Sequence, residues 1–155
     1  MNFMSSIWIA CLELLDNAVL AWALIACGLA QLLKLVFELI KERKFRPSVL
    51  IETGGMPSSH SALVSGAASG VGLELGFDHP GFALAVTVAF VVMYDASGIR
   101  RAAGLIAERV NLLPDESWSP SPENQLKETL GHTRLEVLVG SLIGPAIALP
   151  GIVFI

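Results

Sequence analysis

Three stretches of this chain, residues 18–40, 81–99 and 135–155, are each close to twenty residues long and carry only one or two charged side chains apiece. A helix needs about 20 apolar residues to cross the ~30 Å hydrocarbon layer of a bilayer. All three stretches are long enough. Composition agrees: 54% of the residues are hydrophobic and 15% charged, where an average soluble domain carries about 25% charged residues, and the mean hydropathy is +0.66. The sequence reads as a membrane protein, and no internal boundary divides residues 1–155 into more than one domain.

A fourth segment, residues 58–76, is weaker, with Ser, Gly and Ala throughout and one acidic residue, Glu74. Small residues suit a helix packed among other helices better than one facing lipid. The amphipathic stretch from Ser5 to Leu15 is too short to cross and fits a helix lying at the interface. No Lys or Arg precedes Lys34, and the first apolar region is longer than the core of a signal peptide, so cleavage is not expected. Cys11 and Cys27 lie in apolar helical surroundings and read as small packing residues. The expected fold is an all-α integral membrane helical bundle with about four transmembrane helices and a helical excursion between the third and fourth.

Four spans place the loops 41–57 and 100–134 on one side, and nine of the ten Lys and Arg residues fall in those two loops; the exception is Lys34, inside the first span. By the positive-inside rule that side is cytoplasmic. Polar and conformationally special residues gather on the same side. "GGMPSSH", residues 54–60, follows the basic run "KERKFRP" and starts the weak fourth segment. Gly54 and Gly55 open backbone conformations closed to other residues, and Pro57 suits the first turn of a helix. A helix start offers unpaired N–H groups and the positive end of a dipole to an anion, Ser58 and Ser59 add hydroxyl donors, and His60 adds a proton. The string suits a phosphate. Taken alone, the same string is more often an ordinary helix cap followed by a histidine.

Two further stretches share the pattern. In "LGHTRLEV", Gly131 precedes His132, and Glu136 stands four residues on, where it can bond the imidazole from the same helical face. A carboxylate that fixes the tautomer of a histidine makes it a better nucleophile, although such pairs also occur on plain surfaces. "YDASGIRRAAG" puts Asp95, Arg100 and Arg101 at the end of the third long span. Asp95 is costly there unless paired, and the arginines can hold phosphate oxygens in bidentate fashion or simply anchor the membrane edge. The segment "RRAAGLIAERVNLL" continues as an amphipathic helix, "PDESWSPSPEN" breaks it, and "SPENQLKETLGH" is expected to restart a short helix before the last span.

Taken together, Arg46-Pro47, "TGGMPSSHSA", "YDASGIRRAAG" and "LGHTRLEV" resemble the divergent bacterial and plant branch of the type 2 phosphatidic acid phosphatase superfamily, which is related to vanadium-dependent haloperoxidases. The resemblance runs from about Lys34 to Gly144. It implies that His132 is the nucleophile, Glu136 its orienting carboxylate and His60 the general acid, with Ser58, Ser59 and Arg46 holding phosphate. The superfamily patterns are K-x6-RP, PSGH and SR-x5-H-x3-D. Here Leu39 replaces the first-motif lysine, leaving Lys41 or Lys44 as stand-ins, and Leu126 replaces the third-motif arginine, with Lys127 beside it. Arg100, Arg101 and Lys127 are the natural substitute cations.

The implied function is metal-independent dephosphorylation of a lipid phosphate or diphosphate at the cytoplasmic leaflet of a bacterial inner membrane or plastid-type membrane, with no cofactor and no nucleic-acid partner. The alternative is a non-catalytic membrane protein that binds phosphorylated lipid or scaffolds a complex. A channel fits less well, because the polar residues cluster at one face instead of lining a path. Superfamily members usually have more helices around the site, which homo-oligomerisation could supply. The GxxxG patterns Gly66–Gly70 and Gly140–Gly144 serve such association or packing within one chain equally well.

Overall fold

A computed structural model describes residues 3–43, 45–50, 52, 54–113 and 125–154. Among these the chain is all-helical: α1 (Phe3–Leu15), α2 (Ala18–Glu42), a 3-10 turn (Pro47–Leu50), α3 (Ser59–Leu75), α4 (Pro80–Ser97), α5 (Ile99–Asn111) and α6 (Arg134–Val153). Local chemistry sets the boundaries. Asn17 caps α2 by accepting the Leu20 N–H (2.9 Å), and Arg43 ends it in the left-handed region (φ 52°). His79 accepts the Gly81 N–H (3.0 Å) just before Pro80, the first residue of α4.

Three stretches are long and apolar enough to cross a membrane: Ala18–Glu42, Pro80–Asn111 (which spans α4 and α5) and Arg134–Val153. The fourth expected segment is α3. Its 17 residues extend about 25 Å at 1.5 Å per residue, and it lies at the centre, packed against α2, α4 and α6. Its composition explains that position. Ser59, Ser61, Ala62, Gly66, Ala68, Gly70 and Gly72 are buried, and with no large side chains between them the neighbouring backbones come close.

The α3–α6 crossing shows how close. A Cβ on Gly144 would collide with Ser65 Oγ and the Ala62 carbonyl, and one on Gly140 with the Ser58 carbonyl. Gly151 meets the Trp22 indole of α2 in the same way. Gly66, Gly140 and Gly144 thus serve packing within the chain. Large apolar side chains instead point outward, among them Leu24, Phe90, Val91, Leu138 and Leu142, as a bundle solvated by lipid requires.

The short helix expected before α6 is not formed over its described part. Residues 125–130 have no regular structure. They run antiparallel beside α5, where Asn111 donates to the Leu126 carbonyl (2.9 Å) and accepts the Leu126 N–H (3.0 Å). Asn111 thus bonds both backbone groups of Leu126, and the Glu128 and Leu130 carbonyls lie close against Gly104 of α5. The proline-rich break at residues 114–124 and the possible stand-in Lys44 lie outside the described residues.

Candidate functional site

The site is built where α6 begins. Gly131 takes φ +82° and lies so near the backbone of Arg100 and Arg101 that a Cβ would not fit. The next residue, His132, donates its N–H to the Ala96 carbonyl at the end of α4 (2.9 Å). Its ring is buried, with 6% of the residue exposed. Nδ1 lies 3.2 Å from Glu136 Oε2, the i,i+4 contact that the sequence spacing suggests.

Glu136 is held from a second direction. Its Oε2 accepts the Thr133 N–H (2.9 Å) while Thr133 Oγ1 accepts the Glu136 N–H (3.2 Å). This reciprocal pair is a capping box, a pattern legible as Thr-x-x-Glu in "TRLE" that the sequence reading passed over. One carboxylate oxygen thus starts the helix and orients the imidazole. With Nδ1 turned to Glu136, Nε2 is the ring nitrogen left for chemistry.

The "GGMPSSH" segment joins α3 to α6. The Ser58 N–H donates to the Glu136 carbonyl (3.1 Å), which ties the start of α3 to the first turn of α6. Ser58 Oγ accepts from Ser61 Oγ (2.9 Å) and from the Ser61 N–H (3.3 Å). Ser58 and Ser59 are both buried, and neither lines a cavity beside His132. Ser58 makes the junction between α3 and α6, and His60, two residues on, lines a cavity with His132.

His132 borders two cavities. The smaller, about 20 Å³, is lined by His60, Arg100, Val92, Ala96, Gly131 and His132. The larger, about 320 Å³, has Lys34, Arg46, Arg101, Gly54, Gly55, Gly131, His132 and Glu136 in its wall, together with Glu38, Glu52 and Glu128. Arg100 and Arg101, neighbours in sequence, therefore serve different cavities, because consecutive residues of a helix point about 100° apart. Among the described residues no group of three or more His, Cys, Asp or Glu is placed to hold a metal ion.

The cations are not equivalent. Arg46 reaches Glu38 at 3.3 Å and Glu52 at 3.5 Å, and Arg100 Nε reaches Asp95 at 2.6 Å, which gives Asp95 the partner it needs. Lys41 has a side chain 78% exposed, paired with Glu42 at 3.3 Å, and is not part of either cavity wall. Lys127 is exposed on residues 125–130, the strap beside α5, and lines neither cavity. Two cations in the large cavity, Lys34 and Arg101, have no carboxylate within ion-pair distance among the described residues.

Lys34 was missed from sequence because it sits inside the first span. It is 5% exposed, and its Nζ donates to the Glu52 carbonyl at 2.6 Å. Gly55 faces it: Gly54 and Gly55 take φ of +99° and +82°, and a Cβ on Gly55 would stand 3.0 Å from Lys34 Cε, whereas one on Gly54 would meet the Thr129 carbonyl at 3.0 Å. An ionisable residue within a spanning helix is itself the signal that could have found it.

A helical bundle with lipid-facing flanks, whose polar end holds a buried histidine paired with a glutamate beside a second histidine and several cations, defines the class of protein: an integral membrane protein. The model of the divergent PAP2 family matches residues 15–147, and the chain belongs to that family. The chain is 38% identical over 146 residues to the uncharacterized membrane protein YuiD of Bacillus subtilis (strain 168), an alignment covering 86% of this chain and 92% of the relative. No solved structure matches.

Proposed function

We propose that this protein is a metal-independent phosphatase that removes phosphate from a lipid phosphate or diphosphate through a phosphohistidine on His132, at the cytoplasmic face of its membrane. The observation that carries the reading is the fixed imidazole: Nδ1 held by Glu136 at 3.2 Å, in a buried ring that borders one cavity with Lys34 and Arg101 and another with His60 and Arg100. Nε2 attacks phosphorus, the bond from phosphorus to the lipid oxygen breaks, and His60 gives that oxygen its proton. Water then attacks the phosphohistidine and loses a proton to His60, the P–N bond breaks, and inorganic phosphate leaves with His132 restored. Glu136 stabilises the imidazolium character that develops on the ring. Lys34 and Arg101 balance charge on the phosphoryl oxygens.

A bilayer-embedded site keeps the lipid tail in the membrane while the headgroup meets His132, which supplies proximity. Phosphatidate, phosphatidylglycerol phosphate and polyprenyl diphosphate all meet this requirement. The second reading, a lipid-binding or scaffolding protein, is favoured by one observation: Arg46 and Arg100 are already neutralised by carboxylates. The deciding experiment measures phosphate release from a panel of lipid phosphates in mixed micelles, with and without chelator. Turnover that survives chelation, an acid-labile and base-stable phosphoprotein on rapid quenching, and loss of both in His132→Ala are expected. Absence of label and turnover on every lipid makes the scaffold reading the better one, and chelator-sensitive release overturns the metal-free step.

A further inference from the structure

The described face of α5 that touches protein is fully used. A Cβ on Gly104 would stand 2.7 Å from the carbonyls of Glu128 and Leu130, Ala107 is buried beside it, and Asn111 bonds Leu126 and the Glu128 carboxylate (2.8 Å). Gly131 closes the same strap against the Arg101 backbone. A different face carries Ile99, Ala103, Ile106 and Val110, which recur at steps of four, three and four residues, the spacing of one helical stripe, and Leu113 continues that register two residues beyond the helix end. Ile99, Ile106 and Leu113 are 71%, 59% and 54% exposed. Glu108 lies on the opposite side of the helix, and Leu105 and Leu112, also exposed, lie outside the stripe on the side nearer Glu108.

Connectivity says what meets this stripe. α5 starts two residues after α4 ends, at a break on Gly98 (φ −108°, ψ −87°). Since α4 crosses the bilayer, the first turn of α5 emerges at its surface. The helix carries Arg100, Arg101 and Arg109 against one acidic residue, Glu108, the charge balance that favours anionic headgroups. We infer that α5 is an interfacial helix, lying in the headgroup layer on the His132 side with its Ile99–Leu113 stripe sunk toward the acyl chains. Because the strap along α5 runs directly into Gly131 and His132, the depth of α5 fixes the depth at which His132 meets the bilayer. The inference is independent of whether His132 catalyses a reaction.

Nitroxide labels on the full chain in anionic vesicles of phosphatidylglycerol and phosphatidylcholine test it, in a Cys11→Ala, Cys27→Ala background. Labels are placed singly at Ile99→Cys, Ile106→Cys, Leu113→Cys and Glu108→Cys, with Leu142→Cys of α6 as a reference facing lipid. Collision with oxygen against a water-soluble nickel chelate is then read by electron paramagnetic resonance. The oxygen-to-nickel ratio should be severalfold higher at the three stripe positions than at Glu108, and should approach that at Leu142. Equal ratios at Ile106 and Glu108 would place the helix in water and overturn the inference. A label at Ile106 shielded from both reagents and broadened by spin–spin coupling would show a second copy of the chain on the stripe, which also overturns it.

Discussion

His132, His60 and Lys34 are the residues on which the proposed chemistry turns, and each separates from a neighbour in a test. His60→Ala should slow release from alkyl phosphates strongly but from an activated aryl phosphate much less, because a good leaving group needs little protonation. Equal losses on both substrates would remove His60 as the general acid. Lys34→Met should raise the barrier by about 2–4 kcal/mol, the cost of removing one preorganised donor from a developing charge. Lys41→Met should change it by less than about 0.5 kcal/mol, as for an ordinary surface position, since that side chain is exposed and paired with Glu42. Measured rates that rank the two lysines the other way would return the phosphate site to the basic loop. Thr133→Ala removes half of the capping box. It should cost about 1 kcal/mol in thermal unfolding and also lower turnover, because the Glu136 carboxylate loses the geometry that orients His132. Thr133→Ser should restore both.

At the level of elements, α3 is the wedge that lets the other helices close, and it works because it lacks side-chain volume. Gly144→Ala would push a methyl into Ser65 and the Ala62 carbonyl. Overpacking of this kind costs typically about 1–3 kcal/mol, and backbone on the far side makes the upper end the expectation. Gly28→Ala is the control. A Cβ there meets nothing within 4 Å, so replacing a glycine inside α2 should leave stability unchanged or raise it by up to about 1 kcal/mol. Thermal unfolding in detergent checks both variants, and equal melting points would mean that the α3–α6 crossing is looser than described. The same closeness has a functional side, because Gly140 lets the Ser58 carbonyl approach α6 and so permits the Ser58–Glu136 junction that sets His60 beside His132.

The whole molecule is polarised: its chemistry-bearing side chains gather at one end of a bundle whose flanks face lipid. The proposed orientation puts that end in the cytoplasm. Single cysteines at Asp78, in the α3–α4 turn, and at Lys127, in the strap, should react with an impermeant thiol reagent from opposite faces of the membrane, Asp78 from outside intact cells and Lys127 only after permeabilisation. Labelling of both from one face would break the four-span arrangement, and reversed labelling would invert it. The two GxxxG patterns bear on assembly as well. Their Gly66, Gly140 and Gly144 are occupied in packing α3 on α6, so any homo-oligomer must use another surface.

The sequence by itself determined the class of fold and the chemical pairing. Apolar length and low charge force spanning helices, because an unpaired backbone group in hydrocarbon is too costly, and the i,i+4 step from His132 to Glu136 is a property of any helix. What only the tertiary structure decided is which cations share a cavity with His132. A basic residue's count and loop say nothing about the direction of its side chain, and direction follows from how α2, α5 and the strap pack. Packing sent Lys41 outward, tied Arg46 and Arg100 to carboxylates, divided Arg100 from Arg101, and turned Lys34 inward against Gly55. It also buried Ser58 and Ser59 where α3 meets α6, a burial that no local sequence pattern displays because it depends on which helix packs there.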